Sequence, residues 1–170
     1  QQTLDKLSLL NLESSPVRAL VPQTPAQFEA DFDLAVENIP TSLDLLTQAL
    51  KGARSCLYWQ PDGGQFYEEA SDVGRSYREG NMICTLVGPV NSCFYSNDLF
   101  ICLFFLQPQT LYRDHVHEAS EMYFNLTGPC GFRLGNDDWV DYPGDSLVWN
   151  QPWAAHATRV YQAPFLSVVS

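Results

Sequence analysis

From about Cys56 onward, the chain is a succession of short runs rich in Val, Ile, Phe, Tyr and Trp, each cut off by Gly, Pro, Asn or Asp. Many short strands at this spacing predict a sandwich or a barrel. The candidate strands are Met82–Val87, Leu99–Leu106, His115–Leu126, Gly131–Leu134, Trp139–Val140, Ser146–Trp149, His156–Tyr161 and Phe165–Val169, with Pro61-Asp62-Gly63-Gly64 a turn ahead of them.

The N-terminal third reads differently. Thr24-Pro25-Ala26-Gln27 offers a capping threonine, a proline for the first helical position and a capping-box glutamine. Phe28, Phe32, Ala35 and Ile39 then recur at steps of four and three, the stripe of an amphipathic helix that Pro40 ends. Thr41 opens a second helix with Leu43, Leu46 and Leu50 on one face and Gly52 near its end. Leucines at mixed spacing in residues 1–22 predict a further short helix. The expected fold is α+β and mainly β, a single domain with a helical cap over about 1–55 and a β-barrel over about 56–170.

At 170 residues the chain can bury a real core, and 45% hydrophobic against 17% charged content makes it globular. A net charge of −11 without any basic patch excludes nucleic acid and anionic membranes as partners. The longest apolar runs, Leu99–Leu106 and Phe165–Val169, have strand length, not that of a membrane helix. No secretory signal is visible, although a first residue of Gln leaves a removed leader open. Cys56, Cys84, Cys93, Cys102 and Cys130 include no CxxC pair and read as mostly buried thiols of a reducing compartment, which places the protein in the cytoplasm.

The sequence has three histidines, and two lie in His115-Val116-His117-Glu118-Ala119-Ser120-Glu121-Met122-Tyr123. If this stretch is one strand, alternation turns His115, His117, Glu121 and Tyr123 to the same face, with Glu118 turned away. The third, His156, follows Tyr142-Pro143-Gly144-Asp145 and Pro152-Trp153-Ala154-Ala155. Imidazoles and a carboxylate so grouped suit one divalent transition ion, whether zinc, iron, manganese, nickel or cobalt. Asn125-Leu126-Thr127 matches a glycosylation sequon, but its place in the motif strand argues against use. Arg113 and Asp114 read as a solvated pair, and Asp137-Asp138 as a hairpin tip.

His115-x-His117, then Glu121 and Gly128, resembles the first metal motif of the cupin superfamily, and the Pro-Gly-Asp turn with Pro152 and His156 resembles the second. Gln109 stands where the family usually has a glycine, Val160 where it often has an asparagine, and Pro152-Trp153-Ala154-Ala155 replaces the usual Pro-x-Gly. With Tyr123, Tyr112 and the Tyr142-Pro143-Gly144 turn included, the pattern is similar to the cupin-type dimethylsulfoniopropionate (DMSP) lyases and their relatives. The resemblance implies a double-stranded β-helix (jelly-roll) barrel and a metal held by His115, His117, Glu121 and His156. It also implies β-elimination of dimethyl sulfide from DMSP to leave acrylate. Tyr123 is then the first choice of base, and Tyr112 an alternative base or an orienting hydroxyl. Tyr142, Trp149 and Trp153, with Phe132, are candidates to cage the sulfonium through their ring faces. The protein is expected to act as a monomer or homodimer on a small-molecule substrate.

Two other classes share the ligand set. An iron dioxygenase or isomerase would reveal itself by oxygen uptake or a redox-active iron requirement. A non-catalytic cupin would bind a small ligand tightly without turning it over.

Overall fold

The computed structural model describes residues 2–9, 21–64, 67–68 and 70–170. A short helix α1 spans Gln2–Leu9, and the rest of the leucine-bearing stretch up to residue 20 lies outside the described residues. Helices α2 (Glu29–Glu37) and α3 (Asp44–Ala53) each begin as a single 3-10 turn, Ala26–Phe28 and Thr41–Leu43. The expected threonine caps do not form: Pro25 and Pro40 occupy the cap positions, and their carbonyls accept from Phe28 N and Leu43 N, each at 2.9 Å. Backbone bonds already close these turns, so no hydroxyl is needed there.

Helix α4 (Arg75–Gly80) leads into ten strands: β1 (Asn81–Gly88), β2 (Phe94–Tyr95), β3 (Ile101–Leu106), β4 (Leu111–His115), β5 (Glu121–Asn125), β6 (Cys130–Leu134), β7 (Val140–Tyr142), β8 (Ser146–Asn150), β9 (His156–Val160) and β10 (Phe165–Val169). They form a six-stranded sheet in the order β2-β1-β3-β10-β5-β8 and a four-stranded sheet in the order β4-β9-β6-β7. All pairings among these ten strands are antiparallel except β1 with β2. The barrel expected from the sequence is therefore two separate sheets, not one closed cylinder.

Every residue of β3 is buried, because both faces of the six-stranded sheet are covered near its centre. Alternation sends Leu103 and Phe105 to one side, where Met82, Cys84 and Leu166 join Phe28, Phe32, Ala35, Ile39 and Leu50 from the helical layer. Cys102, Phe104 and Leu106 go to the other side, meeting Tyr112, Tyr123, Phe132 and Phe165 between the sheets. The predicted helical stripe thus packs on the outer face of the six-stranded sheet. Phe105 is fully buried and meets Phe28 and Phe32 edge-on at 6.0 and 6.2 Å. Phe105→Ala is expected to cost about 3–5 kcal/mol, measurable by urea denaturation, because the rings around it cannot collapse into the space.

The predicted strand His115–Leu126 is two strands in different sheets. Residues 116–120 are irregular and carry the chain across from β4 to β5. Strand β4 escaped prediction because Arg113 and Asp114 break its apolar pattern; on this sheet edge they pair with Asp72 and Arg133, not with each other. The motif glycine, Gly128, has a packing cause: a Cβ there would lie 2.5 Å from Gly144 N and 2.6 Å from the Pro143 carbonyl carbon. Asn125 and Thr127 are buried, and Thr127 Oγ1 accepts from Leu166 N at 2.8 Å, so the sequon faces the interior. All five cysteines are free; Cys84, Cys102 and Cys130 are buried. Among the described residues no helix is long and apolar enough to cross a membrane.

Candidate metal centre

His115 ends β4 and sits directly opposite His156, the first residue of β9. His117 lies on the crossing loop, held in place because its carbonyl accepts from Trp153 N at 2.9 Å. Glu121 opens β5 opposite Asn150 of β8, whose Nδ2 donates to Glu121 Oε2 at 2.8 Å. The cluster is thus assembled from both sheets and the loop between them, not from one strand face. Ligand atoms of His115, His117 and His156 all lie within 4.8 Å of one another. Nε2 of His117 and Nε2 of His156 are each 3.5 Å from Glu121 Oε2.

Each imidazole is tied by its other nitrogen to a backbone carbonyl two residues away. Nδ1 of His115, His117 and His156 reaches the carbonyls of Arg113, Ala119 and Ala154 at 2.9, 2.8 and 2.9 Å. A carbonyl can only accept, so these bonds place the proton on Nδ1 and leave the Nε2 lone pairs free. His156 Nε2 is buried with no hydrogen-bond partner. An orphaned buried acceptor beside two more imidazoles and a carboxylate fits a divalent ion, with the backbone carbonyls fixing ring orientation from behind.

The electrostatics agree. Burial, and then the neighbouring His156, push His115 down to about 3, so its ring is neutral. Burial alone would raise Glu121, but the imidazoles of His117 and His156 beside its carboxylate override that and hold it at about 2. Glu121 in turn raises His117. Because His115 has a folded pKa of about 3 against an ordinary 6.5, the unfolded chain binds the extra proton between those values, and metal-free stability falls as pH falls through that window. Glu121 acts in the same direction, its contribution being present above 4.5 and lost as pH falls through about 2. His117 acts oppositely, stabilising below 6.5 and losing that contribution as pH rises through its raised folded pKa. The melting temperature of the metal-free protein is expected to drop steadily from pH 6.5 to about 3. A flat profile there would contradict a neutral buried His115.

The cluster opens into a cavity of about 720 Å³ lined by His115, His117, Glu121, Tyr112, Tyr123 and Trp153 among others. Glu121 and Tyr123 share the cavity face of β5, two residues apart. Tyr123 is buried between Phe104 (5.9 Å) and Phe132 (5.2 Å), and burial, then the Glu121 charge, raises its phenol well above the ordinary range. Tyr112 stacks on His115 at 3.8 Å, and burial raises it likewise. Trp153 stands at the mouth, 61% exposed.

Tyr142 and Trp149 are not brought to the cavity. Tyr142 packs edge-on against Phe132, which fills the core between the sheets, and Trp149 is 54% exposed on β8. Sequence proximity to the motifs misled there, because neighbours along a strand alternate faces. Glu118, expected to point away, is exposed among the lining residues, since strand alternation does not govern the irregular loop. Asp62, Tyr67 and Tyr77 also line the cavity. Nothing in the sequence marked them: Asp62 read as a turn residue, Tyr67 follows Phe66 without periodicity, and Tyr77 stands singly in a polar stretch.

Two facing, mainly antiparallel sheets that enclose an imidazole–carboxylate cluster beneath a helical layer define a cupin. The family model described as dimethylsulfoniopropionate lyase matches residues 3–167. The chain belongs to that family of lyases. The curated dimethylsulfoniopropionate lyase DddQ of Ruegeria pomeroyi is 26% identical over 160 residues, an alignment covering 94% of this chain and 74% of DddQ. The crystal structure of DMSP lyase DddQ from Ruegeria pomeroyi DSS-3 matches with a TM-score of 0.68 at 22% identity, over 96% of this chain and 80% of the other. A structure reported with the DMSP lyases RdDddP and RnDddQII gives 0.67 at 23% identity, over 94% and 76%. At these identities the two structures establish a shared fold.

Proposed function

We propose that this protein is a metal-dependent lyase that cleaves DMSP by β-elimination, with Tyr123 as the base. The observation that carries this reading is the placement of Glu121 and Tyr123 on one cavity face of β5, beside three imidazoles anchored through Nδ1. The phenolate oxygen of Tyr123 takes the proton beside the substrate carboxylate. The electrons of that C–H bond become the second bond of acrylate, and the C–S pair leaves with sulfur as neutral dimethyl sulfide.

His115, His117, Glu121 and His156 are the residues proposed to hold the ion. Zinc, iron, manganese, nickel or cobalt bound there would supply a Lewis acid for the substrate carboxylate and the positive charge that lowers the Tyr123 pKa. Tyr112 faces the same cavity as the orienting hydroxyl or second base. Among the described lining residues there is no lysine or arginine, whereas Asp62, Glu68 and Glu118 are carboxylates. A cationic sulfonium is welcome in such a pocket and a second anionic group is not. Ring faces of Tyr67 and Trp153 are suited to receive it. Tyr142 and Trp149 play no part. The chain acts as one domain, as a monomer or homodimer, and its free thiols accord with the cytoplasm.

The test is headspace dimethyl sulfide from purified protein supplied with DMSP. Metal-loaded protein is expected to release dimethyl sulfide and acrylate in equal amounts. Chelation should lower the rate by at least about a hundredfold, as expected for loss of the group that stabilises the developing charge, and metal should restore it. No release from protein with one ion bound would remove DMSP as substrate.

A further inference from the structure

One wall of the cavity is a continuous pile of three rings. Tyr77 of α4 lies parallel on Tyr112 of β4, centroids 3.6 Å apart and planes at 6°, and Tyr112 lies on His115 at 3.8 Å and 13°. Tyr67 closes the edge of the pile, meeting Tyr77, Tyr112 and His115 edge-on at 6.5, 6.3 and 6.3 Å.

Both ends are clamped. At the far end His115 Nδ1 donates to the Arg113 carbonyl at 2.9 Å. At the near end Tyr77 Oη donates to Asp62 Oδ2 at 2.5 Å. Asp62 is itself fixed, its backbone N donating to Asn81 Oδ1 at 2.6 Å and its Oδ1 accepting from Gly64 N at 2.9 Å. Asn81 Nδ2 returns to the Tyr77 carbonyl at 2.7 Å, which closes a ring of contacts around a buried asparagine. Helix α4 is docked on β4 by the hydroxyl of Ser76, which accepts from Leu111 N at 3.1 Å, and by Val73, whose carbonyl accepts from Arg113 N at 3.1 Å.

A phenylalanine would fill the same core volume as Tyr77. The buried hydroxyl bound to a carboxylate from a separate loop does something else: it fixes the rotation of the ring. A parallel stack at these distances passes that orientation on, because tilting any one ring opens a gap or a clash at the next. We infer that Tyr77, held by Asp62, is a positioning residue that sets the planes of Tyr112 and His115, and so aims the His115 Nε2 lone pair and the Tyr112 hydroxyl into the cavity. The consequence for catalysis rests on the function proposed above; the consequence for ring geometry does not.

With three histidines in the chain, imidazole resonances are readily assigned in the metal-free protein. The ring protons of His115 lie over the Tyr112 face and should show an upfield ring-current shift. Tyr77→Leu is expected to reduce that shift while leaving the His156 resonances in place. In the metal-loaded protein the same variant should lower kcat for DMSP about 10- to 100-fold with KM within about threefold, the pattern of a misaligned site that still binds. Tyr77→Phe, which keeps the stacked ring but loses the hydroxyl held by Asp62, should move the His115 shift and lower kcat in the same direction as Tyr77→Leu and by a smaller factor.

A folded Tyr77→Leu protein with an unmoved His115 shift overturns the inference, as does a Tyr77→Phe protein whose His115 shift and kcat match wild type. If Tyr77→Leu does not fold, Asp62→Ala decides, since it keeps all three side chains of the pile and removes only the clamp. A moved His115 resonance then supports the inference, and an unmoved one overturns it. Wild-type protein that fails to turn over DMSP would sink the substrate reading alone, because the resonances are recorded without metal or substrate.

Discussion

Tyr123→Phe is expected to lower the rate of dimethyl sulfide release by about 10²–10⁴-fold, the span over which a positioned general acid or base contributes. The change removes one oxygen and leaves the ring. Tyr123 is buried with its ring edge-on to Phe104 and Phe132, so a phenyl at this site keeps the core contacts and the fold. Bound metal should stay at the wild-type stoichiometry and KM should move little, because no proposed metal-holding side chain is altered. The wild-type activity should also rise with pH through one ionisation on its acid limb, and that limb should be absent from the residual activity of the variant. Turnover within about threefold of wild type would move the base elsewhere, since so small a loss is incompatible with removal of the proton acceptor. Tyr112→Phe is the paired control, because Tyr112 stacks on His115 on the same cavity wall.

His156→Ala is expected to weaken metal binding by more than about a hundredfold, since even residues that only orient a ligand cost 10–100-fold when lost. His156 is 1% exposed, its Nε2 has no protein partner, and that atom lies 3.5 Å from Glu121 Oε2. No neighbouring residue can take its place, because the described cluster contains three imidazoles and the other two are tied through their own Nδ1 atoms. Metal analysis after dialysis should show near-empty protein, with dimethyl sulfide release lost in proportion. Retention of one tightly held ion would exclude His156 from the ligand set. The two variants separate chemistry from binding: one keeps the ion and loses turnover, the other loses both.

Much of this site was legible in the sequence, though not for the reason the spacing first gave. Alternation along a single strand predicts that His115, His117, Glu121 and Tyr123 share one face. Only the Glu121–Tyr123 step obeys it, because that pair alone lies within one strand. His115 and Glu121 face a common cavity because the loop of residues 116–120 passes between two sheets whose inner faces look at each other. The helical layer was readable because Phe28, Phe32, Ala35 and Ile39 keep a helical period and all bury against the sheet. Helix α4 was not, since Arg75-Ser76-Tyr77-Arg78-Glu79-Gly80 has one apolar anchor and owes its place to hydrogen bonds with β4. Tyr77 and Asp62 were invisible for the same reason: long-range pairing leaves no periodic trace. Tyr142 and Trp149 are the reverse case: near the motifs in sequence, they lie outside the cavity lining.

Because the proposed ligands come from both sheets, a bound ion would behave as a rivet through the sandwich. His115 and His156 belong to the four-stranded sheet, Glu121 to the six-stranded sheet, and His117 to the single strap between them. Any motion that slides or parts the layers must then stretch coordination bonds, so metal affinity is also resistance to unfolding. At free metal one hundred times the dissociation constant, that linkage is worth about 2.7 kcal/mol. The lifetime of this protein in a cell would then follow the supply of its ion, with starved molecules loosening at the seam and being the first to be degraded.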